Sequence, residues 1–227
     1  MSNIERLNKY AVLEIRTEKG RQKMERIFLE AVAQSNVKTV EACLLKGIDP
    51  NALDEDKTAL HIAAVKGDMP IGELLLKHPK TDINQRNSIG ITPLMFACIY
   101  QRRKFVQTLL THGAKVNSMS DKGKTALHFS CIQNNMGITY DLMSRGANVN
   151  AVDVFDNTPL STVVIDYPSL SIARFLLRKG ANATKTREFP LFLVPPENVW
   201  LLVDFTTVRF SLSAYPFCSG KRGLVIL

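Results

Sequence analysis

Residues 58–68 read TALHIAAVKGD, a threonine followed three places later by a histidine on what the pattern marks as a short helix. Such a pair could serve proton transfer or metal binding, because imidazole is the side chain that most readily does both near neutral pH. The motif does not stand alone. TPLMFAC at 92–98, TALHFSC at 125–131 and TPLSTVV at 158–164 restate it, with starts separated by 34, 33 and 33 residues. His61 and His128 share one slot, and His78 and His112 share another just before a turn. Cys98 and Cys131 share a small-residue slot with Ala64, and Cys43 replaces a leucine. A regular address of this kind predicts structural roles rather than catalytic ones.

The remaining chemistry is sparse. No Cys or His pair has zinc-ligand spacing, and no GxSxG, HExxH or Walker loop is present. Asp54, Glu55 and Asp56 could pair with a cation, but they fall where a solvated loop tip is expected. The net charge is +8, and its excess of three, three and two charges over residues 1–26, 27–184 and 185–227 is spread thinly. Arg102, Arg103 and Lys104 form the one tight basic triplet, which reads as a solvated helix start. These features predict a protein that is not an enzyme, uses no cofactor or metal, and ranks low as a nucleic-acid binder. The absence of a leader-like N-terminus and of a long apolar run predicts an intracellular chain, cytoplasmic or nuclear, without membrane insertion.

The elements that position these residues follow from the repeat. Each unit opens Thr-Pro/Ala-Leu: threonine suits an N-cap because its hydroxyl can accept from a first-turn amide, and proline suits N1 because its missing N–H has no partner there anyway. Thr58, Thr92, Thr125 and Thr158 are therefore expected to start helices. A leucine and two small residues follow at i, i+3 and i+4, as in Leu60, Ala63 and Ala64, which lets neighbouring helices approach closely. A second helical stretch ends in an apolar pair and then a glycine, as in Leu109-Leu110 before Gly113. GIDPNA, GAKVNS and GANVNA lead to the next threonine.

These residues resemble the ankyrin repeat family, whose pattern T-P-L-H-x-A-A, second helix, G-A-x-x-N they follow at its 33-residue period. Five units are legible, at 24–52, 53–85, 86–118, 119–151 and 152–184. The resemblance implies an all-α solenoid of stacked helix-turn-helix units joined by hairpin-like loops; outside it, residues 1–23 read as an N-terminal helical extension or cap and 185–227 as an irregular apolar tail. The resemblance also implies that the slot of His61 and His128 ties its turn to the preceding threonine or to a neighbouring loop. Three departures stand out. Arg26 and Leu29 occupy the Thr and His slots of unit one, HPKTDIN with Pro79 replaces a glycine turn in unit two, and IDYPSLS adds one residue with Pro168 in unit five, which should lengthen its inter-helix loop.

In a stack of this kind the face to inspect is the concave edge of loop tips and first-helix ends. Unit two offers Asp54, Glu55, Lys57, Val65 and Lys66 to it, and unit four offers Asp121, Lys122, Lys124, Ile132 and Gln133. Units three and five are more apolar: Ile89, Ile91, Ile99 and Tyr100 in one, Val154, Phe155 and Ile165 in the other. Exposed apolar groups grouped on one edge suggest a surface that something covers, and Tyr and Phe anchor interfaces. Ile91 and Ile165 fit the inter-repeat core equally well. The expectation is a monomeric adaptor that binds one or more proteins through this edge, with Arg102 and Arg103 adding rim charge. For the tail, three readings stay open: an irregular lid over unit five, a docking segment for a larger assembly such as a ubiquitin ligase, or the ending of a truncated isoform of a longer repeat protein.

Overall fold

A computed structural model of the chain describes residues 17–53, 56–166 and 169–183, with the backbone alone at 165 and 166. The expectations for Asp54, Glu55, the Ile165 side chain and the tail lie outside the described residues. The elements are helical hairpins. They comprise α1 (Glu18–Ala33) with α2 (Val37–Leu45), α3 (Ala59–Lys66) with α4 (Met69–Lys77), α5 (Pro93–Ile99) with α6 (Arg103–Thr111), and α7 (Ala126–Ile132) with α8 (Met136–Ser144). The last hairpin is α9 (Pro159–Ser161), continued by a π-helical turn over Thr162–Asp166, with α10 (Leu170–Arg178). The first helices of successive hairpins pack in one row, the second helices in another, and each unit touches its neighbours.

The first-helix row is close-packed because its contact residues are small. Ala63, Ala64, Ala97, Cys98, Ser130 and Cys131 are completely buried, and Leu60, Leu94, Leu127 and Leu160 fill the space behind them. Each such leucine contributes about 2 kcal/mol of burial. Ser130 remains compatible with the core because its hydroxyl donates to the Leu127 carbonyl at 2.9 Å and lies 3.1 Å from the Thr139 hydroxyl.

Every second helix buries its third residue after the N-cap: Ile71, Phe105, Ile138 and Ile172 in units two to five. Unit one places Thr39 there, buried, with its hydroxyl lacking a hydrogen-bond partner. The following slot holds Val40, Val106, Thr139 and Ala173, but in unit two it is Gly72, and a Cβ there would stand 2.7 Å from Phe105 Cζ.

The three sequence departures resolve in different ways. In unit one the first helix does not begin near Arg26; Thr17 caps a 16-residue helix that runs across residues 23 and 24, so an N-cap at 26 is unnecessary. In unit two His78 ends α4 in extended conformation, and the Thr81 hydroxyl donates to the Leu75 carbonyl at 2.7 Å. That bond replaces the amide bonds Ala114 to Leu109, Ala147 to Leu142 and Ala181 to Leu176, which glycines at φ of +86°, +79° and +88° make available in other units.

In unit five the extra residue enters helically. The amide of the second-helix N-cap bonds the carbonyl five residues back in units one to four, as in Asn135 to Ser130, but six back in unit five, from Ser169 to Val163. A π turn accommodates one more residue per turn. Val163 and Val164 thereby stay buried in the slots of the small pair.

A feature absent from the expectations joins the loops. Asn51 accepts from the Asp82 amide and donates to the Lys80 carbonyl; Asn117 does the same with Asn148 and Gly146, and Asn150 with Asn182 and Gly180. Asn84 accepts from the Lys115 amide at 2.7 Å. This asparagine ladder satisfies loop amides that no helix can reach. The N in GAKVN is therefore a rung, recurring at 33 residues.

Candidate functional site

Loop tips build one edge of the array, and backbone bonds hold them in register. The Asp121 amide donates to the Ile89 carbonyl and the Val154 amide to the Lys122 carbonyl, each at 3.1 Å. Asp56 accepts from the Ser88 hydroxyl at 2.7 Å, which links the second tip to the third. Asp56, Gly90, Gly123 and Asp156 all have positive φ at the turn. At Gly123 a Cβ would lie 2.9 Å from the Asp153 Cα, so this slot needs glycine for the closeness of the next tip as well as for its backbone.

Ion pairs cross the same edge. Arg86 Nη2 lies 2.7 Å from Asp121 Oδ1, with both side chains about half exposed. Lys124 Nζ lies 3.1 Å from Asp153 Oδ2, whose side chain is fully buried. Burial pushes the Asp153 carboxyl up, but bonds from the Asn157 amide, Lys124 and the Phe155 amide outweigh it and hold the group below its ordinary range. Lys124 is thus half-buried and engaged with its neighbour, while Lys57 and Lys122 are exposed at the tips.

The first-helix ends form the floor beside the tips. Tyr100 is the C-cap of α5 and 45% exposed; its ring stacks on Phe96 at 6.4 Å, and Phe96 meets the edge of His61 at 5.5 Å. His61 in turn is locked. The Thr58 amide donates to Nδ1 at 3.1 Å, so Nδ1 carries no proton and Nε2 is left to donate to the Ile91 carbonyl at 3.1 Å. His128 repeats the pattern with the Thr125 amide and the Asn157 carbonyl, both at 3.1 Å. Burial lowers the pKa of both, that of His128 to about 4. Neutral, buried and bonded at both nitrogens, they tie one unit to the next tip.

The expected edge residues fall into four groups. Ile89 and Val154 are 60% exposed and Phe155 is 54% exposed, so with Tyr100 they are the apolar groups open on this edge. Ile99, Val65, Ile132 and Gln133 are half-buried. Ile91 turns inward at 6% exposure, joining the core. Lys66, although exposed, places Nζ 2.6 Å from the Ala33 carbonyl and from Ser35 Oγ, closing the end of α1.

Arg102 and Arg103 do not act as rim charges here. Arg102 Nε donates to the Val65 carbonyl at 3.0 Å, and Arg103 makes a two-point contact with Asp141 on the second-helix row at 2.8 and 3.1 Å. Two floor residues escaped sequence reasoning. Phe96 supports Tyr100, and Gln101, at φ +57°, bonds Gln133 Oε1 at 3.3 Å and accepts from Asn135 at 3.4 Å. Their signal was the slot after the His position and the slot that Gly67 fills in unit two.

Burial also pushes the Cys43 thiol up to about 11 and the Cys131 thiol to about 12, which leaves almost no thiolate near neutral pH. Among the described residues no group of His, Cys, Asp and Glu could hold a metal ion, and no helix is long and apolar enough to cross a membrane.

Comparison with known proteins agrees with this geometry. The family model for three copies of the ankyrin repeat matches residues 28–120, and the single ankyrin repeat model matches 122–154. Serine/threonine-protein kinase 12 of Arabidopsis thaliana is 34% identical over 83 residues, covering 36% of this chain and 18% of the relative. Delta-latroinsectotoxin-Lt1a of Latrodectus tredecimguttatus is 39% identical over 75 residues, or 32% of this chain and 6% of the relative. An ankyrin repeat protein of Acanthamoeba polyphaga mimivirus is 33% identical over 88 residues, or 38% of this chain and 11% of the relative. The matches span less than a fifth of these relatives' lengths. On the period, the stacked hairpins and the family matches together, this chain belongs to the ankyrin repeat family.

Proposed function

We propose that the chain is a protein-binding module that grips its partner along the edge of loop tips and first-helix ends, without catalysis of its own. Ankyrin repeats are generally protein–protein interaction modules. The observation that carries the finer reading is the grouping of Ile89, Tyr100, Val154 and Phe155 on that edge, each between 45% and 60% exposed. Solvated apolar groups add nothing to stacking, whereas covered by a partner each contributes burial energy. Tyr100 is pre-ordered by its stack on Phe96, and Val154 and Phe155 by the bonds of their amides to Lys122 and Asp153, so little side-chain and backbone freedom is lost on binding.

Around these anchors, Lys57, Lys122 and Gln133 with the Arg86–Asp121 pair supply a polar rim with both signs of charge, Lys66 and Lys124 are engaged by Ser35 and Asp153, and Asp54 and Glu55 belong to the same tip in sequence. A rim of this sort steers approach and selects partners more than it adds affinity. The test is affinity capture with wild type beside the Tyr100→Ala/Phe155→Ala double variant, circular dichroism confirming that both remain folded. Capture of the wild-type partners should fall at least tenfold in the variant, the effect of losing two anchors of roughly 1 kcal/mol or more each. Undiminished capture by a folded variant eliminates this edge as the site.

A further inference from the structure

The edge of loop tips sets one cation between two apolar groups. Ile89, Lys122 and Phe155 occupy the same slot in units three, four and five, each three residues before the capping threonine Thr92, Thr125 or Thr158. All three are exposed, Ile89 at 60% and Phe155 at 54%. The bonds from the Asp121 amide to the Ile89 carbonyl and from the Val154 amide to the Lys122 carbonyl fix the order and register of the row. Packed helices stand about 8–10 Å apart, and the row repeats once per unit at roughly that interval.

The neighbouring charges are already engaged. Arg86 pairs with Asp121 and Lys124 with Asp153. Asp56 accepts from Ser88, while Lys66 and Arg102 donate to carbonyls of the preceding unit. Lys122 Nζ, by contrast, makes no ion pair or hydrogen bond with any described residue. An uncommitted ammonium between two solvated apolar side chains matches an occupant of complementary order, a carboxylate with an apolar side chain on each side. Cover by such an occupant lowers the local dielectric, which strengthens the attraction to a carboxylate and penalises a second cation. A chain in the polyproline II conformation has three residues per turn and rises about 3.1 Å per residue, so every third side chain lies on one side at intervals of about 9 Å. That interval fits the row.

On the reading that this edge is the binding site, we infer that the partner presents an extended acidic segment. Its Asp or Glu lies against Lys122, and apolar residues three places to either side lie against Ile89 and Phe155. The apolar pair supplies burial, and the central carboxylate selects the partner by sign.

Selection from a displayed library of random linear peptides tests this, with the full-length chain as bait in three forms: wild type, Lys122→Glu, and Tyr100→Ala/Phe155→Ala. Circular dichroism checks that each form is folded. Peptides selected on wild type should carry Asp or Glu between apolar residues at the stated spacing. They should bind Lys122→Glu roughly threefold to tenfold more weakly, with the difference shrinking as salt rises. Selection on Lys122→Glu should replace the central acid with Lys or Arg. Peptides that lose binding to the Tyr100→Ala/Phe155→Ala form but show no acidic preference, or keep the same preference on Lys122→Glu, overturn the inference and leave the edge itself standing. Peptides indifferent to that double variant remove the edge, and the inference with it. A library that yields no binder to wild type also overturns the extended acidic segment.

Discussion

Among the described residues, the two buried histidines show how a side chain suited to chemistry is engaged by the fold itself. His61 and His128 are held neutral by desolvation and by a geometry in which Nδ1 accepts and Nε2 donates. Protonating Nδ1 would aim N–H at the threonine amide, so the charged form breaks the cap and the link to the next tip together. The direction of the pH effect follows. The unfolded histidine binds a proton at about pH 6.5, whereas folded His128 does so only at about 4, so between those values the unfolded state holds more protons and stability falls as pH falls. Above about 6.5 the contribution is complete. For His128 the difference between pH 7.5 and pH 5 comes to about 2 kcal/mol. Urea midpoints at the two pH values should show it, and His128→Asn should flatten that part of the slope while lowering stability at pH 7.5. A pH slope identical in wild type and His128→Asn contradicts the assignment. Carboxylates held below their ordinary range, such as Asp153, lose their contribution only at lower pH and so do not confuse the window.

At the scale of the element, repeat slots tolerate substitution only when a neighbour compensates. Gly72 sits inside α4, where glycine costs about 1 kcal/mol relative to alanine. It is retained because Phe105 of the next unit fills the space its side chain would take. Gly72→Ala should therefore destabilise by about 1–2 kcal/mol despite the gain in helix propensity, and Phe105→Leu added to it should cost less than it does alone. Additive costs in a double-mutant cycle would show that the two sites are independent. The π turn at Thr162–Asp166 is the same principle in backbone form. Val163 and Ser169 must keep the bond that closes every hairpin, so the extra residue is taken up between them. From sequence alone, Pro168 drew attention to the loop. The register of buried Val163 and Val164 decided where the widening went.

Among the described residues the array is nearly one-dimensional, since its extensive helix–helix packing lies within a hairpin or between adjoining ones. Its cooperativity then rests on interfaces rather than on one central core. Leu127 lies in the middle of the fourth unit at 1% exposure, and Leu127→Ala should cost about 3 kcal/mol. Because that loss falls on two interfaces, the expected denaturation curve has a second step or a lowered slope, with unit five separating from units one to three. A single transition displaced along the denaturant axis with its slope intact would mean that the array is coupled more strongly than nearest-neighbour packing allows. The same linear arrangement gives the proposed binding edge its reach: Ile89, Tyr100, Val154 and Phe155 come from two units that do not adjoin in sequence, and the tip bonds align them.

The period, the capping threonines, the small faces that allow close stacking, the structural address of the histidines and the apolar character of units three and five were all legible in the residues, because each depends on local propensity or on a slot repeated every 33 or 34 positions. The asparagine rungs were visible as letters but silent as to role, since their partners lie 29 to 32 residues away on another loop. Whether Ile91 faced in or out, whether Lys124 and Arg103 were free rim charges or bound to Asp153 and Asp141, and how Phe96 braces Tyr100 were decided only by tertiary packing. Each of those outcomes depends on which side chain of the adjacent unit arrives at the contact. Periodicity names the slot, and the angle and distance between stacked hairpins determine what fills the space beside it.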